Sequence, residues 1–264
     1  MILVPAVIRA ARRLGPPLTG AVVLLAAWEL GVRASGVAAY TLPPPSRVAK
    51  AFGDVVPVLP RHVWATVQTA CLGLLIGVVT AVVIAAVLDA VPALRRSLQP
   101  WLVASQSIPS VVLAPVLVSL FGFGWLPRVI VVALVVFFPV AIATLDGLRH
   151  ADAELLELVR TMGASRRQTL WWVRIPGALG PFSSGVRIAA AYATFGAIVA
   201  EWMGAEEGIG VYFNRVRASY RMDRVLVAIV VIAALSIALY ALVSALARLA
   251  TPWQATEQRG EGRS

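Results

Sequence analysis

Long apolar runs alternate along this chain with short polar or proline-rich segments. A membrane-crossing helix needs about 20 predominantly apolar residues, within a range of roughly 17–25. Six stretches approach that length. The first, Pro17 to Val32, is interrupted by Glu29. No convincing small-residue cleavage site follows it, so the pattern predicts a span and not a cleaved signal peptide. The second runs from Val63 to Leu88, and the third from Trp101 to Phe121 with Pro109 and Pro115 inside it. The fourth runs from Leu126 to Leu145. The fifth, Val186 to Met203, carries Arg187 and Glu201 near its ends, and the sixth runs from Val225 to Leu246. The expected fold class is an all-α membrane protein with about six transmembrane helices.

Composition agrees with that class. Of the 264 residues 59% are apolar and 14% charged, with a mean hydropathy of +0.84. A soluble domain averages about 45–50% apolar and about 25% charged, which argues against a water-soluble enzyme, a disordered chain or a fibre. The net charge of +10 could suit nucleic acid, but in so apolar a chain it reads as a marker of the cytoplasmic side of a membrane. With the N-terminus inside, fourteen of the 23 basic residues fall on inner segments. That bias places both termini, residues 1–16 and 249–264, in the cytoplasm. Arg215 to Arg224 then form a basic outer loop. Cys71 is the only cysteine, and His62 and His150 stand far apart with no ligand cluster nearby, so neither a disulfide nor a metal site is expected.

The connections differ in kind. Thr41 to Pro60 holds five prolines and reads as an outer loop with a short helix from Ser46 to Val55, and Gly122 to Pro127 reads as a tight outer turn. Arg149 to Pro181 is the longest and most charged inner connection. Asp152 and Glu154 favour a helix start there. Leu155, Leu158, Val159 and Met162 recur at i, i+3, i+4 and i+7 on one face, while Glu154, Glu157 and Thr161 line another. Gly163 fits a left-handed C-terminal cap. Ser165 followed by Gln168 has the form of a capping box, so a second helix is predicted through Trp171 and Trp172, ending before Pro176. Such a hairpin suits a groove on another protein. It equally suits lipid headgroups, with the two tryptophans as anchors.

The same stretch resembles the EAA loop of permease subunits in bacterial ABC importers. In that loop Glu stands first, Gly seventh, and a hydrophobic-x-hydrophobic-Pro ending closes at the twentieth position. Glu157, Gly163, Val173, Ile175 and Pro176 occupy those positions here, with Pro181 and Gly185 following in the usual places. Leu158 and Val159 depart from the two alanines after the Glu, a bulkier choice on an apolar face. The resemblance covers nearly the whole chain. It extends to the binding-protein-dependent branch serving nitrate, sulfonates, taurine, and thiamine-precursor pyrimidines or riboflavin. Its pieces are Leu42-Pro43-Pro44-Pro45, Gln106-Ser107-Ile108-Pro109, Phe121-Gly122-Phe123-Gly124, Phe137-Phe138-Pro139, Gly185-Val186-Arg187-Ile188, Ala200-Glu201-Trp202, Gly208-Ile209-Gly210 and Pro252-Trp253. The run Gly196 to Gly204 is most similar to the pyrimidine and riboflavin members.

The resemblance implies a type I ABC importer permease architecture in the bacterial inner (plasma) membrane, surrounded by membrane lipid. It implies a second permease copy as a homodimer, two cytoplasmic ABC ATPase subunits and an extracytoplasmic substrate-binding protein. No cofactor is expected on this chain, because the P-loop pattern is absent and its only lysine, Lys50, is followed by Ala51. ATP and Mg would be held by the ATPase, and no nucleic acid is expected. Glu157 would make charged contacts at the ATPase cleft. Leu158, Val159 and Met162 would fill its apolar part, or pack the loop onto its own membrane helices. Gly163, Ala164 and Ser165 would form the turn, Arg160 and Arg166 would meet acidic groups, and Pro176 would close the motif. Ser105, Gln106, Ser107 and Glu201 are the intramembrane polar groups that could line a pathway. Helix–helix hydrogen bonds explain the first three equally well. The cargo would be a small organic or anionic solute. A single-chain ion-coupled carrier using Glu29, Asp89 or Glu201, or a non-transporting membrane scaffold, are the competing readings.

Overall fold

The computed structural model describes residues 4–251. The end of the tail, with the Pro252-Trp253 match, and the first three residues of the N-terminal segment lie outside the described residues. The described residues form helices joined by short turns: α1 (Val4–Ser35), α2 (Pro45–Val55), α3 (Leu59–Ala90), α4 (Pro92–Ser105), α5 (Ser110–Phe121), α6 (Trp125–Arg149), α7 (Ala153–Thr161), α8 (Arg166–Thr169), α9 (Ile175–Glu201), α10 (Ile209–Ala218) and α11 (Met222–Ala250). Four of these stretches are long and apolar enough to cross a membrane: Leu59–Ala90, Trp125–Arg149, the continuous helix Arg166–Glu201, and Met222–Ala250. The chain divides into two compact units, Met1–Pro60 with Phe213–Val230, and Arg61–Tyr212 with Val231–Ser264.

Small residues let the helices of the second unit approach closely. Lipid tails are as apolar as leucine, so helices in a bilayer associate through close van der Waals packing and not through the hydrophobic effect. Gly73 lies against Val132, and Gly77 against the Ala133 carbonyl and Val136, so that even a methyl group at either position would collide. These contacts advance together along both chains, so α3 and α6 run parallel. On α9, Ala178 meets Gly147, Gly185 meets Val140 and Ala143, and Gly196 meets Val132 and Val135. The order is reversed, so α6 and α9 are antiparallel neighbours. The core between them is built of Val132, Val136, Val140, Ala189, Ala193 and Ala197 with Ala70 and Ala81 of α3, and Leu239 of α11 packs against it.

Three expectations need correction. The third apolar run is not one helix. It breaks after Ser105 and restarts at Ser110. Pro109 has no N–H to continue the ladder, and its ring opposes the carbonyl four residues back. The chain closes α4 with short bonds from the Gln106, Ser107 and Ile108 amides to the Val103, Ala104 and Ser105 carbonyls (3.3, 3.0 and 3.1 Å). Conversely, the helix begun at Arg166 does not end before Pro176. It widens into one π-helical turn, Leu170–Arg174, and continues through Pro176 and Pro181 to Glu201. A π-turn inside an α-helix absorbs such a disruption without ending the helix. The fifth span therefore starts well before Val186. Finally, α10 and a turn with Tyr220 at φ +54° occupy much of what reads as a basic outer loop.

Candidate coupling hairpin and its supports

The hairpin forms as the local sequence dictates. The Asp152 carboxylate accepts from the Glu154 and Leu155 amides (2.9 and 3.3 Å) and caps α7. At the other end Gly163 sits at φ +80°, a left-handed conformation that an L side chain adopts only with strain. Its amide reaches the Arg160 carbonyl (2.9 Å) and the Ala164 amide reaches that of Val159 (3.0 Å), the paired bonds of a Schellman cap. Ser165 and Gln168 complete the capping box: the Gln168 amide donates to the Ser165 hydroxyl and the Ser165 amide to the Gln168 side chain (3.3 and 2.8 Å).

The exposed face of this hairpin carries the residues singled out from its sequence. Leu158 is 54% and Met162 77% exposed. Leu155, Glu157, Arg160, Ser165, Arg166 and Pro176 are exposed beside them, while Val159 and Ala164 are half-buried. Trp171 and Trp172 are exposed on the following π-turn.

One support was not legible in the sequence. Arg174, in the π-turn, donates from Nη2 to Asp89 Oδ1 at the end of α3 (2.6 Å) and from Nε to the Leu148 carbonyl at the end of α6 (2.9 Å). The hairpin is thus tied to two membrane helices at one guanidinium. The Asp89 side chain is only 8% exposed, and a carboxylate so covered is costly to keep without such a partner.

At the opposite end of the same unit, a second polar cluster caps α10. Three successive amides at its start donate to side chains of other helices: Gly208 to His62 Nδ1 (3.2 Å), Ile209 to Thr66 Oγ1 (2.8 Å) and Gly210 to Glu201 Oε2 (2.7 Å). Thr66 donates in turn to Glu201 Oε1 (2.6 Å). A helix start leaves its first amides without partners and favours a negative charge. Glu201, grouped above with the pathway residues, is 1% exposed and serves as this cap. Glu29 does the same in the first unit, accepting from the Ser46 amide and hydroxyl at the start of α2 (3.0 and 2.8 Å) while pairing with Arg33. All three acids required by the carrier reading therefore hold structural partners. Of the remaining polar candidates, Ser105 is half-buried and donates to the Leu102 carbonyl (2.9 Å). Gln106 and Ser107 are exposed at the break between α4 and α5.

Residues 73–252 match the family model described as binding-protein-dependent transport system inner membrane component. The chain is 33% identical to the formylaminopyrimidine transport permease protein ThiX of Halalkalibacterium halodurans, over 88% of this chain and 92% of that protein. It is 36% identical to the riboflavin transport system permease protein RibX of Chloroflexus aurantiacus, over 92% and 91%. The crystal structure of an amino acid ABC transporter with histidines shares the fold at a TM-score of 0.61, with 17% identity, covering 76% of this chain and 96% of that one.

Proposed function

The chain belongs to the family of binding-protein-dependent transport system inner membrane components, the membrane permeases of ABC importers, and we propose that two copies of it form the solute pathway of one such importer. It is a transport component and not an enzyme. In this reading the 152–175 hairpin faces the cytoplasm and docks in a cleft of an ATPase subunit, which holds ATP and Mg. An extracytoplasmic binding protein delivers the solute.

The observation that carries the reading is the build of the hairpin. Its turn is fixed by caps at Asp152, Gly163 and Ser165, its apolar side chains Leu158 and Met162 stand exposed beside Glu157, and its far end is anchored to α3 and α6 through Arg174. A rigid, exposed, apolar hairpin bolted to membrane helices can turn the closure of a cytoplasmic partner into helix motion. Glu157 and Arg160 supply the charged rim, and Arg166 extends it. The turn at Gly163, Ala164 and Ser165 sets the hairpin angle, and Pro176 follows the π-turn that enters the membrane.

Supporting a homodimer, Gln106 and Ser107 stand exposed at a helix break deep in the apolar part of the chain. Non-helical backbone at membrane depth is tolerated only where protein covers it or it lines a water-filled cavity. A second copy and the pathway between the copies provide both. A thiamine-precursor pyrimidine, riboflavin, sulfonate or taurine as solute is supported by the named functions of relatives and by the Glu201-Trp202-Met203-Gly204 run, while nitrate rests on the sequence resemblance alone.

Purification of the tagged chain from its native membrane tests the reading. An ATPase should co-purify and be lost on Glu157→Arg, and uptake into vesicles should require ATP. A chain that purifies alone and moves solute without ATP would overturn it.

A further inference from the structure

A cavity of about 610 Å³ opens in the second unit between α3, the α5–α6 turn and the segment after α9. Its wall includes Gln68 and Thr69 of α3, Phe123 of the turn, Trp125 and Arg128 of α6, and Glu206. Along α3 it extends from Ala65 to Leu72, about 10 Å at 1.5 Å per residue. Most of the helix surface around it is apolar, so this concentration of polar groups needs a reason. A charged side chain facing lipid is costly, and intramembrane charges usually face a protein interior or water.

The polar groups here also have spare capacity. Arg128 uses Nε on the Gly124 carbonyl (2.8 Å) and forms no ion pair among the described residues, which leaves its terminal nitrogens to donate. Gln68 and Glu206 form no hydrogen bond or ion pair among the described residues. Glu207, by contrast, is taken by Arg61 (3.1 Å). The aromatic part of the wall is exposed, with Phe123 at 79% and Trp125 at 62%, and one side of Phe123 is closed by the backbone. Gly204, at φ +103°, lies directly against the Phe123 ring, so that any side chain there would displace it.

We propose that this cavity is a solute-holding site on the outer side of the pathway, selecting small planar solutes that are polar at both ends. Arg128 and Gln68 take the anionic or acceptor end, Glu206 takes the donor end, and the Phe123 and Trp125 rings face the flat middle. The guanidinium offers a fork of donors suited to a carboxylate or sulfonate, and aromatic faces add stacking with a planar ring. The assignment rests on the importer reading above, but it is tested separately.

The test uses the complete importer in membrane vesicles, with Cys71→Ala as background and Gln68→Cys as reporter. Retained co-purification of the ATPase shows that the variants fold, and its loss throughout would count against the importer reading instead. The reporter is treated with two membrane-impermeant thiol reagents, the anionic sulfonatoethyl and the cationic trimethylammonioethyl methanethiosulfonates. The ratio of anionic to cationic labelling should fall several-fold in Arg128→Gln, rise in Glu206→Gln and recover in Arg128→Lys. The probe 2-aminopyrimidine-5-carboxylate should slow labelling at concentrations where taurine, which has no ring, does not. A cysteine at position 68 that neither reagent reaches would overturn the site. So would a ratio indifferent to both charges, or protection by taurine equal to that by the pyrimidine.

Discussion

Arg174 and Asp89 are 85 positions apart in the chain, and their 2.6 Å contact fixes where the hairpin joins the membrane helices. Removing one member of a largely buried pair leaves an uncompensated charge, at a cost of roughly 3–5 kcal/mol. Asp89→Asn and Arg174→Met should each lower the thermal stability of the purified protein. The exchanged pair, Asp89→Arg with Arg174→Asp, should recover part of the loss. Singles that lose nothing would remove the pair from the account. The α10 cap sets a stricter limit. A side chain at Gly208 would have to occupy the place of the Glu201 carboxylate, and at φ +138° its backbone favours glycine. Gly208→Ala should abolish accumulation of folded protein. Thr66→Ser, which keeps the hydroxyl between Glu201 and the Ile209 amide, should be tolerated, and Thr66→Val should not. Fluorescence of a C-terminal reporter after detergent extraction and size separation reads both.

Helix caps show which elements a sequence can disclose. Asp152, Gly163, Ser165 and Gln168 lie within a few residues of the ends they close, so their spacing alone predicts α7 and the turn after it. The caps of α2 and α10 come from Glu29, His62, Thr66 and Glu201, which reach across 9 to 146 positions. Nothing local to residues 209–218 marks a helix start except glycine, and its end from Arg215 onward read as part of a basic outer loop. The same distinction separates the two proline-bearing segments. Pro109 interrupts α4–α5 because short bonds within one turn close the helix, while Pro176 is carried through because a π-turn and the Arg174 tie hold it. Proline in an apolar run predicts a disturbance, and packing decides whether the helix ends. Local caps have local effects. Losing an N-cap side chain costs about 1 kcal/mol, so Ser165→Ala should speed hydrogen exchange of amides 166–169 about five-fold without altering the core of α6. Uniform acceleration would mean that the box holds more than its own turn.

At the scale of the whole molecule, the direction of the helices carries the argument about sidedness. α3 and α6 run parallel and α6 and α9 antiparallel, as their glycine contacts require. The broken α4–α5 segment therefore returns the chain across the membrane between α3 and α6. The turns at Gly122–Gly124 and after Glu201 then lie on one side, and the 150–165 hairpin on the other. With α1 and α11 each taken as one crossing, as the apolar runs of the sequence predict, the number of crossings is even and both termini are expected on the side of the hairpin. The basic residues favour the same side, since Arg149, Arg160, Arg166, Arg167 and Arg174 crowd the hairpin and positive charge is retained in the cytoplasm. Arg215, Arg217, Arg221 and Arg224 oppose that bias, but Arg221 is engaged with Asp223 (3.1 Å), which lowers the charge left to resist translocation. A fluorescent protein that matures only in the cytoplasm should therefore glow when fused after Ser264 and stay dark when inserted after Ala39. A periplasm-dependent phosphatase at the same two positions should give the opposite result. The reverse pattern would place the hairpin outside, where no ATPase could reach it, and would remove the basis for ATP-coupled import.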